Sequence, residues 1–149
     1  MFLYRNGRLC LGSASFVLPD DCFVDTSLPV DSHNGFVIQP IDQSFKINLD
    51  FDVRGLEPCC GLKGQAESWS GEVEIREETL PCGIAWSAIL SFENRCYREL
   101  CIPMREGVTD EYGNTLNEMS VQIVAGSEEE AVAATQHRVF LELVNSIVV

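Results

Sequence analysis

A stripe of apolar residues near the C-terminus constrains the fold more than any other feature of the chain. Val132, Gln136, Val139, Phe140, Leu143, Val144 and Ile147 recur at steps of three and four, which on an α-helix places them on one face, apolar except for the glutamine. Arg138 and Glu142 lie one turn apart on the opposite side, where they can pair in water. A long amphipathic helix of this kind needs an apolar surface to cover, and the simplest surface is a sheet. The residues just ahead supply a strand: Met119, Val121, Ile123 and Ala125 alternate up to Gly126. Ser127, followed by Glu128, Glu129 and Glu130, has the pattern of a capping box, with three carboxylates at the positive end of the helix.

The rest of the chain reads as short strands. Phe2 to Arg5 and Arg8 to Leu11 flank Asn6-Gly7, which suits the two positive φ values of a type I′ hairpin. Ser15 to Leu18 is extended up to Pro19, Asp20-Asp21 turns, and Cys22 to Val24 resumes. Thr26 to Asn34 is read as loop and turn. Phe36 to Gln39 pairs with Ser44 to Val53 across Pro40 to Gln43; Phe45, Ile47, Leu49, Phe51 and Val53 form a dry face and the residues between them a wet one. Leu62 to Trp69 can close one or two helical turns. Val73 and Ile75 mark another one-sided strand, and Ile84, Trp86, Ala88, Leu90 and Phe92 a central one with Trp86 in the core. Glu93-Asn94 turns the chain into a strand from Arg95 to Ile102 that Pro103 ends. Arg105 to Asn117 reads as a polar loop of functional length. The expected fold is α+β: a twisted, mainly antiparallel sheet of about six or seven strands with the C-terminal helix packed on it, all in one domain, 1–149, whose first 12 residues add a hairpin to a core from 13 onward.

Composition narrows the partners. Ten basic residues against 23 acidic ones give a net charge of −13, which repels phosphate backbones, so nucleic acid is a poor partner; the charge serves either solubility alone or the attraction of a basic protein partner. No run approaches the roughly 20 apolar residues of a membrane span. Met1-Phe2-Leu3-Tyr4 has no basic region before it, so no secretory signal is read there and the expected location is the cytoplasm. The seven cysteines are an odd count without Cys-x-x-Cys. Reduced thiols buried as small hydrophobes, with no metal and no cofactor, are the expectation.

Three segments together resemble the PsbP-like fold, shared by a photosystem II extrinsic subunit, a Ran-binding nuclear import factor and small bacterial proteins related to DcrB. They are Phe16-Val17-Leu18-Pro19-Asp20-Asp21, the long alternating strands in the middle, and the ending Phe140-Leu141-Glu142-Leu143-Val144-Asn145-Ser146-Ile147. In that family a Trp usually follows the Leu-Pro turn, where Cys22-Phe23 stands here. The resemblance implies an antiparallel sheet with helices on its faces, no shared catalytic apparatus and, for most members, protein partners; one bacterial branch resembles chaperones that shield apolar segments of secreted effectors.

No catalytic constellation stands out. His33 and His137 have no nucleophile motif nearby, the acidic pairs read as solvated faces, and the glycines form no phosphate-cradling loop. No catalytic, cofactor-binding or metal residue is assigned. The residues picked as partner contacts are Tyr112, Asp110 and Glu111 in the polar loop, with Trp69 as a further aromatic anchor. The expected function is a non-catalytic protein-binding or chaperone-like domain. The alternatives are a small-molecule-binding domain and a hydrolase using a His/carboxylate site.

Overall fold

The computed structural model describes residues 3–11, 13–25, 35–55, 58–92, 95–125 and 130–149. The loop read from Thr26 to Asn34, with His33, the Glu93-Asn94 turn and the Ser127 cap lie outside them. The N-terminal hairpin forms as the turn chemistry dictates. Strands β1 (Leu3–Arg5) and β2 (Arg8–Leu11) pair antiparallel, and Asn6 and Gly7 take φ values of 52° and 75°. Strand β3 (Ala14–Phe16) pairs with β2 and completes a three-stranded sheet.

The remaining strands build a second sheet: β4 (Cys22–Asp25), β5 (Gly35–Pro40), β6 (Ile47–Asp52), β7 (Glu72–Leu80), β8 (Gly83–Phe92), β9 (Arg95–Thr109) and β10 (Thr115–Ala125). All seven run antiparallel in the order β4-β5-β6-β10-β9-β8-β7. Two helices accompany them, α1 (Cys60–Trp69) and α2 (Glu130–Ser146). The fold is therefore the expected mixture of antiparallel sheet and helix, with a second small sheet formed where β3 joins the expected N-terminal hairpin. The C-terminal helix is of ordinary length and not the long one expected.

Strand alternation gives the large sheet two faces. On one, Ile47, Leu49 and Phe51 of β6, Met119, Val121 and Ile123 of β10, and Leu100 and Ile102 of β9 are buried in one cluster with Val139, Phe140, Leu143, Val144 and Ile147. The C-terminal stripe is thus the lid of the main core, and even Gln136 is 4% exposed. Leu11, Ala14 and Phe16 of the small sheet join the same core. The small sheet is laced to the end of α2: Ser15 and Val148 exchange backbone hydrogen bonds of 2.7 and 2.8 Å, and Arg8 donates to the Ser146 carbonyl. The other face carries a smaller core, in which Leu62 and Ala66 of α1 pack on Ala88, Leu90 and Cys101, with Trp69, Val73, Ile75, Trp86 and Tyr97 at its rim.

Several sequence expectations need correction. Pro103 does not end β9, which continues to Thr109. The β8 ladder stops at the Trp86–Cys101 pair, so among the described residues Pro103 is paired with β10 alone, opposite Glu118, the one-sided pairing in which a strand tolerates proline. In consequence, the loop expected from Arg105 to Asn117 is a short turn between Thr109 and Thr115. A register shift between Leu116 and Glu118 sets the four residues of β9 between Pro103 and Val108 against Asn117 alone, taking up three extra residues. Trp86 is half-buried at the rim of the smaller core and not at its centre. Val53 and Ile84, counted on dry faces, are 48% and 57% exposed because they sit beyond or at the ends of their ladders.

Phe140 is 2% exposed, and the Arg98 guanidinium lies 4.8 Å over its ring while reaching Glu78 at 3.4 Å. Glu142 pairs with Arg138 at 2.7 Å on the solvent side of the same helix. Phe140→Ala should therefore cost about 3 to 5 kcal/mol, as for other buried aromatic truncations. Glu142→Ala should stay within about 0.5 kcal/mol. Urea denaturation of both variants checks the contrast.

Candidate functional site

The chemistry-bearing side chains of the described chain concentrate where α1 meets the sheet. Gly61 and Gly64 make α1 a poor helix by propensity alone, and tertiary contacts hold it. Leu62 and Ala66, four residues apart, bury one face against β8 and β9. At its C-terminus Ser70 takes the left-handed conformation (φ 55°), and the Gly71 N–H reaches back to the Ala66 carbonyl at 2.9 Å. Its N-terminus is unusual. The residue before the helix, Cys59, is itself left-handed (φ 55°, ψ 37°), and its side chain makes no capping bond.

The cap comes instead from the sheet. Glu99, on β9 and 4% exposed, accepts the Leu62 N–H on Oε2 at 2.9 Å. Its Oε1 accepts from the Ser120 hydroxyl at 3.0 Å and the Gln122 amide at 3.1 Å. A carboxylate so buried loses several kcal/mol of hydration. Three hydrogen bonds to a charged acceptor, each worth about 1.5 to 3 kcal/mol, and the positive end of a helix offset that loss. Glu99 is thus a buried tie between β9, β10 and α1.

Around it stand two thiols and a further acid. Cys59 and Cys101 are 1% exposed, and one donor atom from each of Cys59, Glu99 and Cys101 lies within 4.8 Å of the others. The Cys59 thiol also donates to the Trp86 carbonyl at 3.4 Å. Its hydrogen bond with Cys101, together with burial and the Glu99 charge, holds the Cys101 thiol far above its ordinary pKa. Burial likewise raises the Glu118 carboxyl, an effect that the neighbouring Cys101 thiol and the charge of Arg54 oppose. Vicinal Cys60 points outward; partial desolvation and the charges of Glu118 and Glu99 raise its pKa. Among the described residues no Lys or Arg forms an ion pair with Glu99 or Glu118.

The residues selected from the sequence are not gathered here. Asp110, Glu111 and Tyr112 form the β9–β10 turn, where Asp110 Oδ1 accepts the Tyr112 and Asn114 N–H groups at 2.9 and 2.8 Å. Asp110 therefore shapes the turn. Tyr112 is exposed, and the Glu111 charge raises its phenol pKa. Trp69 stacks on Phe92 and tilts against Tyr97, both at 5.1 Å, near the opposite end of β9; roughly 40 Å of strand separates the two places. His137 is exposed on α2. It lines neither the 340 Å³ cleft that holds Asp21, Asp42 and Arg138 nor the 440 Å³ cleft that holds Arg8 and Arg105.

The buried cluster was missed because its members come from three separate segments. The signal that existed is the run of alternating polar residues Glu118, Ser120 and Gln122 beside Glu99-x-Cys101. They are the wet faces of two strands that turn out to be adjacent. No protein-family model matches the chain, and no curated protein matches it.

Removing the carboxylate leaves three donors without their acceptor. Glu99→Ala should cost about 3 kcal/mol or more, whereas Ser120→Ala, which removes one bond, should cost about 1 kcal/mol. Equilibrium urea melts decide it; a Glu99→Ala loss below about 1 kcal/mol would mean that the tie is not made in solution.

Proposed function

We propose that the chain is a non-catalytic protein-binding domain that captures an extended, basic segment of its partner on the outer edge of β7. The observation that carries this reading is the edge itself. β7 spans nine residues, is the last strand of the sheet and, among the described residues, pairs only with β8. The edge at the other end, β4, is four residues long. An unpaired strand of this length offers a row of backbone donors and acceptors that a second strand can complete.

Charge selects the strand that is added. β7 carries Glu72, Glu74, Glu77 and Glu78 against Arg76 alone, and Arg76 is already bound to Glu74 at 2.5 Å. Like charges repel a second copy of β7, and the same charges attract Lys and Arg. The net charge of −13 acts in the same direction at longer range. Val73 and Ile75 are half-buried on the α1 side of the edge, so alternate apolar side chains of the added strand can continue the smaller core. This is a chaperone-like way of holding a chain, in keeping with what the PsbP-like resemblance implies. Among the described residues no helix is long and apolar enough to cross a membrane.

Fluorescence anisotropy with labelled peptides of equal length tests the reading. A peptide alternating Lys or Arg with Val should bind, weaken as salt is raised, and lose binding when its inward-facing amides are N-methylated. Combining Glu74→Lys with Glu77→Lys should weaken binding about tenfold or more. Equal binding of an acidic peptide, or indifference to N-methylation, would defeat the proposal.

A further inference from the structure

We infer that Cys59, Glu99 and Cys101 form a binding site for a thiophilic divalent cation, zinc by preference, beneath the N-terminus of α1. The inference goes beyond the binding edge and does not depend on it. Its basis is a convergent donor set: two thiol sulfurs and one carboxylate oxygen, all from buried residues, within 4.8 Å of one another. A tetrahedron around a metal with bonds of roughly 2.0 to 2.3 Å has edges of about 3.3 to 3.8 Å, so binding would draw donors that lie within 4.8 Å of one another up to about 1 Å closer.

The chemistry of the donors selects the ion. Thiolates favour zinc over calcium or magnesium, which take oxygen ligands. Zinc replaces the two thiol protons on binding, so two protons are released as one dication enters. Together with the Glu99 carboxylate, the resulting centre carries a net charge of −1, and the positive end of α1 suits that sign. Three protein ligands leave the fourth tetrahedral position for water.

Two further features suit a ligand set. Ser120, Gln122 and the Leu62 N–H hold the Glu99 carboxylate in one orientation, as outer hydrogen bonds do for ligating carboxylates. Cys59 occupies a left-handed backbone conformation, costly for a residue with a side chain, and makes no cap there. That conformation turns its sulfur inward to Cys101 and the Trp86 carbonyl, while Cys60 next to it faces out. Cysteine spacing did not predict such a site because the sulfurs come from a helix start and a strand and form no Cys-x-x-Cys.

The test uses the reduced full chain, stripped with a chelator and titrated with Co²⁺ as a spectroscopic substitute for zinc. One cobalt per chain should bind with the thiolate-to-cobalt charge-transfer absorption and the visible bands of a tetrahedral centre, and Zn²⁺ should bleach both. Cys59→Ser and Cys101→Ser should each lose the charge-transfer band or reduce it sharply. Cys60→Ser and Cys96→Ser should keep it. Should a serine variant not fold, mass-mapped alkylation of the parent replaces it: Zn²⁺ should shield Cys59 and Cys101 and leave Cys60 reactive. A folded parent without the charge-transfer band overturns the inference, and so does a band that survives Cys101→Ser or disappears in Cys60→Ser. Alkylation of Cys59 and Cys101 that zinc does not slow has the same meaning.

Discussion

The buried carboxylate of Glu99 is the constraint on which the less obvious half of this structure depends. The α2 side of the sheet is held mainly by apolar area, and area is tolerant: many sequences with the same stripe would cover it. The α1 side has a smaller core and a helix that carries two glycines. There a directional interaction fixes position. Glu99 binds a backbone N–H at the start of α1 and two side chains of β10 from a single strand position, so the helix, the strand pair and the thiols beside them share one geometry.

That geometry divides the molecule by role. The α2 face and the small N-terminal sheet form the apolar core, tied at the chain's two ends through Ser15, Val148, Arg8 and Ser146. The opposite face is dry near β8 and β9, where α1 covers it, and holds a polar centre where the cover begins. At the margin of that covered half lies β7, acidic and, among the described residues, paired on one side only. The proposed binding edge and the proposed metal centre thus lie on the same half of the sheet, joined through α1, which packs on both β7 and β8. An ion under the start of α1 would stiffen the helix that flanks the edge.

What could be read from the sequence was local, and what could not was relational. The Asn6-Gly7 hairpin, the alternation of Ile47, Leu49 and Phe51, and the stripe from Gln136 to Ile147 each carry their signal within about a dozen residues. The passage of β9 through Pro103 and Gly107 does not. It depends on β10 lying alongside, so a residue that ends most strands was taken to end this one. α1 was only faintly legible because its glycines oppose helix formation and its cap comes from a residue that follows it by 37 positions. The cluster was hidden for the same reason. Glu118, Ser120 and Gln122 look like a solvated strand face until β9 places Glu99 among them. Tyr112 was favoured as a contact because its loop looked long, and it stands on a short turn.

Native-state hydrogen exchange at the Leu62 amide tests the central claim most directly, because that single N–H reports whether a carboxylate from β9 caps the helix. An N-terminal helical amide with no partner exchanges by local fraying. If Glu99 holds it, the Leu62 amide should exchange as slowly as the β9 and β10 amides of the sheet and open only with them. Exchange of Leu62 at the rate of a frayed end, while the sheet amides remain protected, would contradict the account.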